Sequence, residues 1–149
     1  MNSTALAALL ALAAGLGGAV QIAVQGRLGD RVGSLEAMAT ASLIGAVIAL
    51  GVLLVARQSL AGIGEAAGAP KWMLLGGVMS ALIILAITVA GPRIGIVATS
   101  AVLIAAQFSL AAVIDRFGWF GVNQIALSWP RVLGIVLLFV GAALTLRKW

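Results

Sequence analysis

Five long apolar segments, separated by short stretches rich in charged residues, Gly and Pro, make up most of this chain. Each segment is about 20 residues long, the length that a helix needs to cross the hydrocarbon core of a bilayer. The pattern therefore predicts an all-α integral membrane protein with a single five-helix domain over residues 1–149. The predicted spans are residues 4–25, 34–56, 72–90, 94–114 and 129–146.

Helix-ending residues separate the spans. Gly26 and Arg27 are expected to end the first span, with the polar turn LGDRVG after it, and Gly33 or Ser34 is expected to cap the second. A tight turn is expected at residues 91–93, where Pro follows Gly and cannot continue a helix. The loop 57–71 has room for one short surface helix.

The two ends of the chain and the segment before the fifth span also have features of a membrane protein. The first segment has no basic region before it and continues past any plausible signal-peptide cleavage point, so we expect it to be a retained span. Aromatic residues in 117–129 are typical of a segment in the membrane interface. Arg147, Lys148 and Trp149 are expected to anchor the end of the fifth span.

Composition narrows the function further. The chain is 63% hydrophobic and 9% charged, with a mean hydropathy of +1.22, so its surface is unsuited to water. It contains no Cys and no His, which removes thiol chemistry and the commonest transition-metal ligand, so no redox role, metal or cofactor is expected. The net charge of +5 comes from basic residues scattered at span ends, which is typical of membrane anchoring rather than nucleic-acid binding.

Polar side chains inside the spans are the candidate substrate site. Gln21 and Gln25 are four residues apart and share one face of the first helix, and Gly18 leaves the backbone beside them open to close approach. The fourth span carries Ser100 and the deeply placed Gln107. An unpaired amide in hydrocarbon is costly, so Gln107 must either bridge to another helix or contact a solute, and both alternatives stay open.

Glu36 is the acidic residue with two candidate roles. It lies in the first turn of the second helix, where the helix dipole favours a negative charge, so a capping role is the favoured interpretation. Contact with a substrate, or proton coupling, is the alternative. Asp115 lies at the predicted end of the fourth span.

The basic residues are almost evenly divided between the two sides that a five-span chain presents. The positive-inside rule orients a chain through an excess of Lys and Arg on one side, so this distribution gives almost no bias. We favour insertion in both orientations, which allows an antiparallel homodimer; orientation by a single extra charge or by a partner is the alternative. One side carries Arg57, Lys71, Arg116 and Arg131, and the other carries Arg27, Arg31, Arg93, Arg147 and Lys148.

The fifth span contains a candidate dimer interface. Gly134 and Gly141 are seven residues apart and fall on nearly one helix face, with Leu137 and Leu138 between them. Small residues at every fourth position of the second span, from Ala37 to Ala49, form a second seam of the same kind. The sequence does not choose between these two seams.

These features together resemble the drug/metabolite transporter superfamily. The pattern of the last span is similar to the glycine heptad by which small multidrug resistance proteins dimerise. Over the whole chain the resemblance is to the five-helix YdcZ family, described as inner-membrane exporters. It rests on Gln21 and Gln25 followed by Leu28-Gly29, on Pro70-Lys71-Trp72 before Gly76-Gly77, on Gln107, and on Ile114-Asp115 before Phe117-Gly118.

The resemblance implies a half-transporter in the bacterial inner membrane. Ten-helix members of the superfamily look like two five-helix halves of opposite topology, so one five-helix chain would supply both halves as an antiparallel dimer. The substrate site would then lie at the dimer centre, lined by the first and fourth helices. Small multidrug resistance exporters use a glutamate in the first helix, whereas this first span has no carboxylate, and its glutamines cannot exchange a proton.

The leading hypothesis is therefore a transporter that moves a small neutral, zwitterionic or weakly polar solute by alternating access. Its expected partners are a second copy of the chain, membrane lipid and an unidentified small-molecule substrate, without nucleic acid. A passive channel and a non-transporting assembly subunit are the alternatives. An enzyme is disfavoured because no nucleophile is placed beside a general base.

Overall fold

The computed structural model describes residues 3–147, which form six α-helices joined by short connections. Two 3-10 turns, Lys71–Leu74 and Trp119–Gly121, precede the fourth helix and follow the fifth. Lys148 and Trp149, expected as anchors at the end of the chain, lie outside the described residues. The helices are α1 (Ser3–Val32), α2 (Ser34–Arg57), α3 (Ala61–Ala67), α4 (Leu75–Ile94), α5 (Ile96–Phe117) and α6 (Trp129–Leu146).

Five helices in the described part of the chain are long and apolar enough to cross a membrane. Large apolar side chains are exposed along them: Leu43 is 68% exposed, Val55 84% and Trp129 74%. Such a surface is stable only against lipid or another protein. The prediction of an all-helical chain with five apolar helices of membrane-spanning length is confirmed, and the short α3 occupies the loop where one short helix was expected.

The helices belong to two compact units, which we describe one at a time. The first comprises the described part of Met1–Ile22 and of Ile94–Trp149, and in it α5 packs against α6. The chain after α5 folds back on the end of that helix: the Ile125 N–H donates to the Asp115 carbonyl at 2.9 Å, and Gln124 Nε2 donates to the Phe117 carbonyl at 3.3 Å. These bonds hold the connection between α5 and α6 in place.

The second unit, Ala23–Arg93, is organised by the contact of the C-terminal part of α1 with that of α4. A Cβ at Gly26 would lie 3.0 Å from the Pro92 ring, and a Cβ at Gly29 would overlap the Thr88 methyl group. Thr88 is only 2% exposed, and its hydroxyl donates to the Ile84 carbonyl at 2.7 Å. The two glycines therefore let the helix backbones approach closely.

The expected turn LGDRVG is helical in the structure. α1 continues to Val32, and the single residue Gly33, with φ +102°, joins it to α2. Gly26 and Gly29 do not end the helix, because they pack against α4 instead, and glycine in a helix costs only about 1 kcal/mol relative to alanine. The break falls where the backbone adopts a positive φ.

The expected turn at residues 91–93 is also helical. Pro92 lies inside the last turns of α4, and the break comes at Gly95, with φ +86°. Pro92 leaves one internal hydrogen bond unmade, that of the Thr88 carbonyl, and the helix nevertheless continues two residues past it to Ile94.

The two connections carry the same five-residue pattern, Gly-x-Arg-Val/Ile-Gly, which the sequence analysis did not single out. It reads 29–33 before α2 and 91–95 before α5. In each copy the second glycine is the N-cap of the following helix and has a positive φ with an extended ψ, +148° at Gly33 and +161° at Gly95. These backbone conformations are essentially limited to glycine.

Replacing Gly95 by Ala is expected to lower the free energy of unfolding by about 1–3 kcal/mol, since a Cβ there meets no neighbour and the cost is that of the backbone conformation alone. Thermal unfolding in detergent, followed by circular dichroism, measures it. Gly51→Ala, at a helical glycine with equally open surroundings, is the control and should leave stability unchanged or slightly raised. Equal melting of the two variants would contradict the argument.

Replacing Gly29 by Ala is expected to destabilise the protein by about 1–3 kcal/mol, because the new methyl group meets the Thr88 methyl, which cannot turn away without losing its hydrogen bond. Adding Thr88→Ser, which keeps the hydroxyl and removes that methyl, should restore most of the loss. Gly17→Ala, where a Cβ has open space, is the control. A double variant no more stable than Gly29→Ala would show that this contact is not the cause.

Candidate functional site

Gln25 is the polar side chain that the fold buries most completely without a partner. It is 5% exposed, and its Nε2 is buried with no hydrogen-bond partner among residues 3–147. Buried polar groups are nearly always hydrogen-bonded, and an unmatched one costs about 1–3 kcal/mol. An unmatched buried amide donor is therefore a candidate group for binding a ligand.

The α1–α4 contact places Gln25. Gln25 lies on the same side of α1 as Gly26 and Gly29, which face Pro92 and Thr88. Because proline has no N–H, the Thr88 carbonyl lacks the donor that a regular helix would supply, and it lies 3.7 Å from the position of a Cβ on Gly29. The second unit therefore has two hydrogen-bonding groups at the α1–α4 contact that lack a usual partner. They are the Gln25 amide, which is a donor, and the Thr88 carbonyl, which is an acceptor.

Glu36 lies where a capping residue is expected. Its side chain is beside Gly33, the N-cap of α2, so close that a Cβ on Gly33 would overlap Oε2. This placement brings the negative charge to the positive end of the α2 dipole and favours the capping interpretation. Contact between Glu36 and a substrate stays a prediction.

α1 contains one acidic residue, because it is longer than the predicted first span. The first span was expected to contain no carboxylate, but the helix extends past that span and includes Asp30. Asp30 is exposed and lies near the C-terminal end of α1. The absence of a carboxylate therefore holds for residues 4–25 and is wrong for the helix as a whole.

The other predicted site residues belong to the first unit. Gln21 is exposed, so it does not share the buried environment of Gln25 despite the spacing that puts both near one helix face. Gly18 is half-buried, and a Cβ added to it would have no atom within 4 Å; Ser100 is also half-buried. Gln107 is exposed and makes no hydrogen bond to the described residues, so within them it does not bridge to another helix.

The structure thus divides the predicted substrate residues between the two units. Gly18, Gln21, Ser100 and Gln107 belong to the first, and Gln25 and Glu36 belong to the second.

The predicted dimer-interface residues line a groove along α5 and α6. Two cavities, of about 460 and 490 Å³, share Leu138 as a lining residue and lie along this helix pair. Gly134 lines the first cavity, and Leu137 and Gly141 line the second. Neither glycine has an atom within 4 Å of a Cβ position, and Leu137 is 60% exposed. The groove therefore has space for a helix or lipid chain, and whether it forms a dimer stays a prediction.

An ion pair that the sequence analysis missed stands at one end of the groove. Arg131 Nη1 donates to Asp115 Oδ2 at 3.2 Å, and both side chains line the 460 Å³ cavity. The two residues are 16 positions apart, so no helical periodicity relates them. The available signal was the opposite charge at the end of one span and the start of the next, which lie at the same membrane surface.

Comparison with known families agrees with this picture. The family model described as "Putative inner membrane exporter, YdcZ" matches residues 6–144, nearly the whole chain. No curated protein and no solved structure matches it. The match confirms the resemblance drawn from the sequence, and the family is one of exporters rather than of enzymes. The chain belongs to the YdcZ family of the drug/metabolite transporters, described as putative inner membrane exporters.

Proposed function

We propose that this protein exports a small neutral, zwitterionic or weakly polar solute across the bacterial inner membrane by alternating access. The family match and the five apolar helices support membrane export. The observation that carries the proposal is the buried, unpartnered amide of Gln25. A channel-lining residue would be open to water, whereas this amide is closed off by helix packing.

The chemistry of the amide indicates the solute class. A glutamine side chain donates and accepts hydrogen bonds but carries no charge and exchanges no proton. It therefore suits a solute that offers a carbonyl, hydroxyl or carboxylate oxygen to Nε2 without a full unbalanced charge. Gln21, Gln107, Ser100 and Gly18 remain candidate contacts to the solute, and Glu36 remains the candidate for any proton coupling.

The burial of Gln25 also supports alternating access. Because Nε2 is buried, a solute reaches it only after the packing around Gln25 opens, so we propose that binding and release are coupled to a change in helix packing. At Gly26 and Gly29 the contact is made with the Pro92 ring and the Thr88 methyl group, and no ion pair joins α1 to α4 in the described residues. A contact of this kind can separate at modest cost.

The working unit that we propose is an antiparallel homodimer of copies inserted in opposite orientations. The nearly even distribution of basic residues supports dual insertion, because neither side has the excess that orients a chain. The exposed Gly134 and Gly141 offer an open helix surface for a second copy, with Leu137 and Leu138 beside them. Assembly with a different protein would use the same surface, so orientation is the property to measure.

Single cysteines placed after Trp149 and in the loop 57–71 report orientation without ambiguity, because the chain contains no Cys. In intact cells, a membrane-impermeant thiol reagent is expected to label about half of the molecules at each site, as an almost unbiased charge distribution predicts. Labelling after lysis gives the total. Complete labelling at one site and none at the other would exclude the antiparallel dimer.

Replacing Gln25 by Leu is expected to abolish saturable flux while leaving the protein at least as stable, because it removes a buried group that has no internal partner and that costs about 1–3 kcal/mol. Flux is measured in proteoliposomes with a panel of labelled amino acids, sugars and other small metabolites. Stability is measured by thermal unfolding in detergent.

The control for the Gln25 variant is Thr40→Val, which removes an exposed hydroxyl bonded only within α2 and should keep full flux. Clear destabilisation by Gln25→Leu would instead assign Gln25 a structural hydrogen bond. Flux of the unmodified protein that never saturates would indicate a passive channel, and absence of flux for the whole panel would favour an assembly subunit.

A further inference from the structure

The cavity of about 460 Å³ at the Asp115 end of the α5–α6 groove combines a charged rim with an apolar wall. Asp115 and Arg131 form the rim. Ala112 and Gly134 line the next turn of the two helices, and Phe108 lies one further turn along α5. Its volume falls within the range of about 300–1,000 Å³ that is typical of small-molecule sites.

The ion pair at the rim leaves hydrogen-bonding capacity unused. Arg131 offers a single Nη1 donor to a single oxygen of Asp115, and neither side chain makes another hydrogen bond to the described residues. Their side chains are 43% and 34% exposed. A guanidinium and a carboxylate have several further donors and acceptors, so the pair can bind a ligand that carries both charges without being broken.

The position of the pair is set by the fold and by the membrane surface. The Asp115 carbonyl accepts the Ile125 N–H, which fixes the end of α5, and Arg131 lies in the first turn of α6 after the N-cap Ser128. Trp129, 74% exposed, is in the same turn as Arg131. Tryptophan at a span end is typical of headgroup depth, so the pair lies where lipid headgroups lie and the apolar wall extends towards the acyl chains.

We propose that this cavity binds one zwitterionic phospholipid of the surrounding bilayer. The headgroup phosphate accepts hydrogen bonds from Arg131, the headgroup ammonium donates to Asp115, and one acyl chain lies along Ala112 and Gly134 towards Phe108. Charge complementarity selects this occupant, because an anionic headgroup would leave the Asp115 carboxylate facing a second negative charge. With the acyl chain along Gly134, the surface left for a second copy of the proposed dimer is the Gly141 end of the groove, with Leu137.

The test is native mass spectrometry of the full-length protein released from nanodiscs that contain equal amounts of phosphatidylethanolamine and phosphatidylglycerol. The unmodified protein is expected to retain phosphatidylethanolamine selectively. Asp115→Asn and Arg131→Gln should each lower the retained lipid by about tenfold, the effect of losing one charge-assisted contact. Ala112→Leu, which fills the cavity and leaves the ion pair intact, should displace the lipid without removing a charge.

The control is a third cavity, of about 720 Å³, which is lined by Arg57 and Glu65. These two side chains form no ion pair with each other in the described residues, so the cavity lacks the paired charges on which the proposal rests. Arg57→Gln and Glu65→Gln should leave lipid retention unchanged. Equal retention of the two phospholipids, or equal retention by all variants, would overturn the proposal in favour of unspecific lipid around the helices. Loss of dimer on Ala112→Leu with lipid retention unchanged would also overturn it, because a second copy would then occupy the cavity.

Discussion

The close packing of α1 on α4 depends on glycine at two positions, and the candidate site depends on that packing. Gly29 faces Thr88 and Gly26 faces Pro92 at distances that leave no room for a larger residue without rearrangement. Gln25 lies on the same side of α1 and is 5% exposed.

The way in which the other polar groups of the helices are satisfied explains why one amide matters. Backbone groups of membrane helices satisfy one another, and the Thr and Ser hydroxyls here largely do the same: those of Thr88, Thr99 and Ser109 each donate to a carbonyl four residues earlier in the chain. A glutamine amide is too long and too rich in donors to be satisfied in this way. Its needs must be met by another helix or by a ligand, and the described part of the chain supplies no other helix for Nε2.

The first unit uses polar groups differently. There Asp115 and Arg131 neutralise each other at the end of a groove whose walls are Ala, Gly and large apolar residues. Small residues on α5 and α6, among them Ala112 and Gly134, leave space in the groove. At its charged end, the hydrogen bond from the Ile125 N–H to the Asp115 carbonyl fixes the end of α5. The predicted glycine seam of the last span is therefore part of a shaped surface shared by two helices, not an isolated stripe on one.

Several features of this protein follow from local sequence alone. Five apolar segments of spanning length have no stable alternative to helices in a membrane. The family can be recognised from the order and spacing of short motifs, which requires no knowledge of their contacts. The helix ends were less predictable. Gly26, Gly29 and Pro92 are helix breakers by local propensity, but all three are helical in the structure, where the two glycines pack against Pro92 and Thr88. The breaks fall at Gly33 and Gly95 instead.

The sequence by itself determined the apolar helices, their approximate limits, the membrane setting and the polar residues available for a site, because these depend on the length, periodicity and chemistry of single segments. Only the tertiary structure decided that Gln25 is buried while Gln21 is exposed, and that Asp115 pairs with Arg131. Those outcomes depend on which helix faces which, and at what distance, and that information is carried by contacts between residues far apart in the chain.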